Sequence, residues 1–224
     1  MKKLIYLLIL ISAGLFSCKK DKAALTVTDI DGNVYKTVKI GDQIWMAENL
    51  KVTQFNDGTS LSMVTDPTTW GDPAITEPMA SFYDNKAENI DKYGLLYNWY
   101  AISSNKLAPK GWHVATEADW DNLKNYLKTN AGGKLKEKGV SNWLSPNIGA
   151  TNETGFTCLP SGLRWGGDGK FLWQKEQAYF WTISQDLNSM SPIYNLYYNS
   201  SDVLTFEGSS YGKNVGLSVR CVKD

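Results

Sequence analysis

Residues 28–50 read TDIDGNVYKTVKIGDQIWMAENL, a stretch in which apolar or β-branched residues alternate with polar ones. Such alternation is typical of β-strands that are buried on one face. Asp31-Gly32 separates the first two runs, and this dipeptide favours a tight hairpin turn. Gly41-Asp42 marks a second turn before the third run. The sequence therefore predicts three neighbouring strands joined by two turns.

Helical patterns lie in the middle of the chain. One helix is predicted to start near Asn98, and another after Thr116, which is a suitable capping residue. Gly132-Gly133 is expected to end this second helix. Strand and turn patterns then continue to the C-terminus. We therefore expect one α+β domain over residues 25–224, with mostly antiparallel strands and about two helices in its first half.

The composition excludes several classes of function. The chain of 224 residues carries 23 basic and 23 acidic side chains, so it lacks the positive charge that nucleic-acid binding requires. Its one histidine, His113, excludes a histidine-rich metal site and argues against histidine-based catalysis. The chain is rich in aromatic residues, with 9 Trp, 12 Tyr and 7 Phe. Most of these rings belong in a core, whereas exposed ones often contact sugars or partner proteins.

The N-terminus has the pattern of an export signal. Lys2 and Lys3 precede about a dozen apolar residues, a run shorter than the roughly 20 that span a bilayer as a helix. The run ends in LFSC (15–18), which resembles a bacterial lipobox whose cysteine, Cys18, becomes the lipidated N-terminus. An ordinary secreted protein with an incidental cysteine is the alternative interpretation.

Cleavage before Cys18 divides the chain into a signal peptide (1–17), a lipidated tether (18–24) and a folded domain (25–224). Two or more acyl chains anchor a protein stably to a bilayer. We therefore expect an exported lipoprotein of the bacterial cell envelope, at the outer membrane, with the bilayer as one partner.

The folded domain then contains two cysteines, Cys158 and Cys221. Neither lies in a CxxC motif, which argues against zinc binding and redox catalysis. Two thiols in an oxidising compartment readily pair, so we expect a disulfide between them. Two buried free thiols are the alternative.

A sugar-binding site combines an exposed ring with polar side chains, because sugars present apolar faces and many hydroxyls. Arg164, Trp165, Asp168 and Trp173 offer this combination within one predicted hairpin, and Trp143 lies in another predicted loop. We expect these five residues to contribute to a ligand surface. The alternative for each ring is that it fills the underside of a long loop.

No metal or cofactor motif stands out. The turn that begins at Asp29 resembles a calcium loop, but Ile40 occupies the position where an EF-hand requires glutamate. No cofactor is predicted, and calcium stays open because Asn147 and Asn152 carry suitable oxygen ligands.

No catalytic motif is present either. The chain lacks a nucleophile elbow and a P-loop. Glu153 and Asp168 are carboxylates of the kind that glycoside hydrolases use, but no motif supports them. We therefore expect a protein that is not an enzyme.

Seven blocks in this order resemble the Fibrobacter succinogenes major paralogous domain family, also called FISUMP. The blocks are TDIDGNVYKTVKIGDQIWMAENL (28–50), YGLLYNWYA (93–101), PKGWHVATEADW (109–120), GGKLKEKG (132–139), ATNETGF (150–156), LPSGLR (159–164) and GLSVRCVKD (216–224). The resemblance implies a C-type-lectin-like fold, with the closing strand beside the first hairpin, in an exported protein or lipoprotein. It implies no particular activity.

Together these observations favour a non-catalytic domain that binds an extracellular ligand such as a polysaccharide. A structural or adhesion protein that binds another envelope protein is the alternative, and a hydrolase is the third interpretation.

The lipid anchor can be tested by labelling bacteria with radioactive palmitate. We expect the parent protein to be labelled and recovered with membranes, and Cys18→Ala to lose both properties because the acceptor thiol is gone. An unlabelled parent, or a Cys18→Ala variant that stays membrane-bound, would contradict the lipoprotein interpretation.

Overall fold

The computed structural model describes residues 26–183, 190 and 192–224. The predicted signal peptide, Cys18 and the tether lie outside these residues. Strands and helices are mixed in an α+β architecture in which most strand pairs are antiparallel. None of the described helices has the length and apolar character that a membrane crossing requires.

Thirteen strands lie within the described residues. They are β1 Thr26–Thr28, β2 Val34–Ile40, β3 Gln43–Met46, β4 Ser62–Met63, β5 Met79–Ser81, β6 Leu96–Tyr97, β7 Trp112–Val114, β8 Leu163–Arg164, β9 Phe171–Leu172, β10 Gln177–Phe180, β11 Ile193–Tyr197, β12 Val203–Phe206 and β13 Cys221–Lys223.

Five α-helices and three short 3₁₀ helices accompany these strands in the same part of the chain. The α-helices are α1 Pro67–Gly71, α2 Ile90–Tyr93, α3 Trp99–Ser103, α4 Glu117–Leu127 and α5 Ala131–Leu135. The 3₁₀ helices are Tyr83–Asn85, Ala87–Asn89 and Gly208–Ser210.

The predicted hairpin forms where the Asp-Gly dipeptide lies. β1 and β2 pair antiparallel, and Gly32 has a φ of +85°, which glycine adopts readily. The Asp29 carboxylate accepts hydrogen bonds from the Asn33 amide at 2.9 Å and the Tyr35 hydroxyl at 2.6 Å. These bonds fix the turn and saturate Asp29 with protein donors.

The last strand lies inside the main sheet. The order of this five-stranded sheet is β1-β2-β3-β13-β7, so β13 pairs with β3 on one side and β7 on the other. β10, β11 and β12 form a second sheet, β4, β5 and β6 a third, and β8 and β9 a two-stranded hairpin. β3 lies between this closing strand and the first hairpin, β1 and β2, so the expectation that the two are neighbours is corrected.

More helices form than the sequence predicted. The predicted helices near Asn98 and after Thr116 are α3 and α4, each with a side-chain cap from its predicted residue. The expectation that Gly132-Gly133 ends the second helix was wrong, because α4 ends at Leu127 and both glycines lie inside α5. A Cβ on Gly132 would lie 2.4 Å from the Asp202 carbonyl oxygen, so glycine serves close packing here.

The predicted disulfide does not form: Cys158 and Cys221 are free and buried. Successive residues of β13 face opposite sides of the sheet, so Cys221 lies in one core cluster and Val222 in another. Cys158 belongs to the Val222 cluster. The two thiols therefore lie in different parts of the core.

Arg220 immediately precedes β13 and is 1% exposed. Its guanidinium donates hydrogen bonds to the Asn49 side chain at 2.6 Å and to the carbonyl oxygens of Met46 and Phe156 at 2.8 and 2.9 Å. A fourth bond reaches the carbonyl of Thr157 at 3.2 Å. The guanidinium carbon also lies 4.3 Å from the centre of the Phe156 ring. Burial lowers the pKa of Arg220 to about 10.

His113 in β7 joins the start of α4 to the residue after β13. Its Nε2 lies 2.9 Å from Asp119 Oδ2, and its Nδ1 lies 2.8 Å from Asp224 Oδ1. Asp119 also accepts bonds from the Thr116 amide and hydroxyl, which completes the cap of α4. The bond with Asp119 raises the pKa of His113, against burial, and Asp224 adds to the increase.

This arrangement predicts a pH-dependent contribution to stability. The pKa of His113 in the folded protein is raised above its ordinary 6.5. The stabilisation that protonated His113 gives the fold is therefore complete below pH 6.5 and is lost as the pH rises through the folded pKa. We expect His113→Gln to cost up to about 1 kcal/mol at about pH 5.5 and much less at about pH 9. Urea denaturation at both pH values measures the difference.

The exposed pair of Lys106 and Asp57 supplies the control. Asp57→Asn should change stability equally at both pH values, because the pair contains no histidine, the side chain whose charge ordinarily changes between about pH 5 and 8. A His113→Gln deficit that is equal at both pH values would contradict the assigned role of His113.

Candidate ligand-binding surface

Arg164, at the end of β8, is fully buried and holds loops together. Its guanidinium donates to the carbonyl oxygens of Val64, Thr65 and Gly169, the last two at 3.0 and 3.1 Å. It also stacks over the Trp70 ring at 4.4 Å. The expectation that Arg164 lies on a ligand surface is corrected: at 0% exposure its donors are occupied by backbone.

Trp143 is also buried, at 1% exposure. Its indole N–H donates to the Cys158 carbonyl at 2.9 Å, and the ammonium of Lys136 lies 5.3 Å from its ring centre. The ring therefore fills the second core cluster. The expectation that Trp143 contacts a ligand at the surface is corrected for this reason.

The other three predicted site residues reach the surface. Trp173 is 37% exposed, and Trp165 is partly exposed. Asp168 is exposed, forms a salt bridge with Lys170 at 2.6 Å, and lines a cavity that includes Gly167. The hydrogen bond that the Lys170 ammonium donates within this salt bridge lowers the pKa of Asp168.

Two tyrosines connect Trp165 and Trp173. The ring centres of Trp165 and Tyr211 are 6.3 Å apart, those of Tyr211 and Tyr179 are 5.8 Å apart, and those of Tyr179 and Trp173 are 5.8 Å apart. Tyr179 is buried, whereas Tyr211 is partly exposed. We call these four residues the aromatic surface.

Polar groups lie within and beneath the aromatic surface. The Tyr179 hydroxyl donates to the side-chain oxygen of Gln177. Burial, with the hydroxyls of Tyr211 and Tyr197 next in effect, raises the pKa of Tyr179, so the phenol stays neutral. The exposed ring faces thus lie above a buried pair of hydroxyl and amide groups.

Asn195 has a buried oxygen that lacks a donor. It lies opposite Tyr179 in the register of β10 and β11 and is 0% exposed. Its NH₂ group lies 3.5 Å from the Gln177 oxygen, and its own Oδ1 has no hydrogen-bond donor among the residues described. Leaving a buried acceptor unsatisfied costs about 1–3 kcal/mol.

Sequence reasoning missed Tyr179, Tyr211 and Asn195. Residues 193–197 alternate between the two sides of the sheet, and this pattern places Asn195 on the same side as Tyr179. Tyr211 carries no such signal, because it reaches the site from a turn after a 3₁₀ helix.

The geometry offers little for metal binding or nucleophilic catalysis. Within the described ranges, no group of three His, Cys, Asp or Glu side chains is placed to hold a metal ion. Asn152 Oδ1 accepts from the Thr157 amide at 2.9 Å, whereas Asn147 donates its NH₂ group to two backbone carbonyls and has a buried Oδ1 that lacks a donor among the described residues. Burial raises the pKa of Cys158 to about 12 and that of Cys221 further, so both thiols stay protonated.

A family model described as the Fibrobacter succinogenes major domain (Fib_succ_major) matches residues 38–223. The chain belongs to this family. The match runs from the middle of β2 to the end of β13, so the whole aromatic surface lies within the Fibrobacter succinogenes major domain. No curated protein and no solved structure gives a significant match to the chain.

The unsatisfied oxygen of Asn195 predicts an unusual response to mutation. Asn195→Leu replaces a buried polar group by an apolar group of similar size, so we expect the free energy of unfolding to stay within about 1 kcal/mol of the parent value or to rise. Urea denaturation measures this quantity.

Asn98 is the matched control because it is equally buried but satisfied. Its Oδ1 accepts from the Met79 and Ala101 amides, and its NH₂ donates to the Glu77 carbonyl. Asn98→Leu should cost about 2 kcal/mol or more, since buried backbone groups lose their partner. Equal losses in the two variants would show that Asn195 is satisfied after all.

Proposed function

We propose that this domain is a non-catalytic module that binds an extracellular polysaccharide, and that its finer fold class is C-type-lectin-like. We further propose that lipid on Cys18 holds the protein at the outer membrane of the cell envelope. The observation that carries the binding function is the aromatic surface, in which Trp165, Tyr211 and Trp173 are at least partly exposed.

The chemistry of the aromatic surface suits a sugar. Trp165, Tyr211 and Trp173 expose parts of their rings, on which the apolar C–H faces of a sugar can stack. The partly exposed Tyr211 also carries a hydroxyl in this area, and a phenol both donates and accepts hydrogen bonds. The four rings of the aromatic surface pack against one another, and Tyr179 belongs to a strand. Such packing fixes the rings before a ligand binds, which lowers the entropic cost of binding.

Binding is favoured over hydrolysis by the state of Asp168. A glycoside hydrolase needs a carboxylic acid that stays protonated near neutral pH, which requires a raised pKa. The salt bridge with Lys170 has the opposite effect on the pKa of Asp168. This lowered pKa argues against Asp168 as the acid of such a reaction.

A second candidate function is the binding of another envelope protein. Val140, Leu144 and Ile148 are 57%, 44% and 44% exposed, and all three belong to one loop. The Leu144 amide donates to the Lys175 carbonyl at 2.7 Å, which places this loop near the turn that carries Trp173. Exposed apolar side chains grouped in this way are typical of protein interfaces.

The test of polysaccharide binding uses the full-length protein in a detergent without a sugar headgroup. Cellulose, xylan, mannan, starch and polygalacturonate are the probes, each with calcium and with EDTA. We expect saturable binding to at least one of them, weakened about tenfold by Trp173→Ala or Tyr211→Ala because each removes a stacking face. Loss of binding in EDTA would assign calcium to the site.

Tyr126→Ala is the matched control, because Tyr126 is 61% exposed on α4 and packs against Gly41, apart from the aromatic surface. It should bind as the parent does. A folded parent that binds none of the five probes would overturn the polysaccharide proposal and favour a protein partner. Unchanged binding by the Trp173 and Tyr211 variants would remove the aromatic surface from the site.

A further inference from the structure

The long loop between α5 and β8 presents three large apolar side chains to solvent. They are Val140, Leu144 and Ile148. Asn147 folds this loop back on itself: its side-chain NH₂ group donates to the Gly139 carbonyl at 2.6 Å, and its backbone N–H donates to the Leu144 carbonyl at 3.2 Å. These bonds hold the three apolar residues close together. We call residues 138–149 the apolar loop.

The apolar loop is fixed to the domain from beneath. The Ile148 amide donates to the Tyr198 carbonyl at 2.8 Å, and the Ile148 carbonyl accepts from the Lys136 ammonium at 3.0 Å. Trp143, inside the loop, is 1% exposed and fills the core. The exposed apolar side chains therefore belong to a well-anchored backbone, and such a group marks a surface that contacts a protein or a membrane.

The charges of the apolar loop suit a membrane. Residues 138–149 contain no aspartate or glutamate and one lysine, the exposed Lys138. The carboxylate of Glu137, just before the loop, accepts hydrogen bonds from the Asn142 side chain at 2.9 and 3.0 Å. Apolar side chains can enter the boundary between headgroups and acyl chains, while a lysine beside them reaches the phosphates of anionic lipids.

The proposed lipid anchor keeps a bilayer close to the domain. Residues 18–25 connect Cys18 to β1, and eight fully extended residues span at most about 28 Å. A folded chain of about 200 residues is about 40 Å across. Because the connection is shorter than the domain, the side that contains Thr26 stays near the bilayer.

The start of β1 lies near the segment that follows the apolar loop. Thr26 pairs with Lys36, so β1 begins at the end of the β1-β2 pair that is nearer to Val38. A Cβ on Gly155 would lie 3.4 Å from Val38 Cγ2, and Gly155 comes six residues after the apolar loop ends. The anchored end of the domain and the apolar loop are thus connected through β2.

We propose that the apolar loop is a membrane-docking surface, and that its partner is the bilayer in which the lipid on Cys18 is inserted. Val140, Leu144 and Ile148 enter the headgroup boundary, and Lys138 contacts anionic headgroups. The lipid supplies the attachment and the loop fixes the orientation of the domain. This inference rests on the lipid anchor of the proposed function, and the short connection favours the bilayer over the protein partner considered above.

The test measures whether the apolar loop enters a bilayer. The full-length lipidated protein is reconstituted into vesicles of equal parts phosphatidylcholine and phosphatidylglycerol, with Val140→Cys carrying an environment-sensitive fluorophore. Cys158 and Cys221 are buried and escape the labelling reagent. Lipids with a nitroxide on the acyl chain quench a fluorophore that reaches them. We expect blue-shifted emission and at least about tenfold more quenching than at a control position.

Val34→Cys is the matched control position. Val34 is 58% exposed, against 57% for Val140, and it pairs with Thr28 at the other end of β1. A fluorophore there should stay in water. Leu144→Ser with Ile148→Ser, added to Val140→Cys, should reduce the quenching about tenfold, because less apolar surface enters the boundary. This variant should bind polysaccharide as the parent does, and thermal unfolding establishes that it is folded.

Three outcomes would overturn the membrane-docking surface alone. The protein is recovered with the vesicles, but Val140→Cys is quenched no more than Val34→Cys, which favours a protein partner for the loop. The two serine substitutions leave the quenching unchanged, which shows that the fluorophore itself enters the bilayer. The two serine substitutions abolish polysaccharide binding, which assigns the loop to the sugar site. If Cys18 carries no lipid and the protein does not associate with vesicles, the proposed anchor and this inference both fail.

Discussion

The structure depends on one buried cation, Arg220, whose guanidinium has no carboxylate partner among the described residues. Removing a charge from water costs several kcal/mol unless hydrogen bonds replace the lost hydration. Here the replacement comes from Asn49 and from the carbonyls of Met46, Phe156 and Thr157, which belong to parts of the chain far apart in sequence. The guanidinium therefore requires the end of β3 and the loop at 156–157 to meet beside β13.

Two other buried cations bind backbone carbonyl oxygens where the chain has little regular structure. Arg164 donates hydrogen bonds to carbonyl oxygens of the segment before α1 and of its own hairpin. Lys136 donates to the carbonyl oxygens of Ile148, Tyr197 and Ser200. Burial lowers the pKa of Lys136 to about 8, which reflects how completely its ammonium is enclosed. Carbonyl oxygens of irregular loops lack the partners that sheets and helices provide, and buried cations satisfy several of them at once. The aromatic surface rests on elements that Arg164 and Lys136 hold.

Local sequence patterns correctly predicted the features that are determined by residues close together in the chain. The Asp31-Gly32 turn and the cap at Thr116 formed as expected, because a turn or a cap is decided within about four residues. Burial depends on distant residues, so the sequence could not distinguish the buried Arg164 and Trp143 from the exposed Trp173. For the same reason, the sequence predicted only part of the candidate site. Trp165 and Trp173 belong to one hairpin and were predicted, whereas the two tyrosines between them belong to other elements and were missed.

The central place of β13 has a consequence for how the chain reaches its fold. A strand at the edge of a sheet can be added last to a structure that is already complete, but β13 separates β3 from β7. Until Cys221–Lys223 is available, β3 and β7 have no strand to join them, and Arg220 cannot bring its loops together. A ribosome delivers the N-terminus first, so the five-stranded sheet closes only after Cys221–Lys223 has emerged. Synthesis order and topology together keep this sheet open until its central strand has been made.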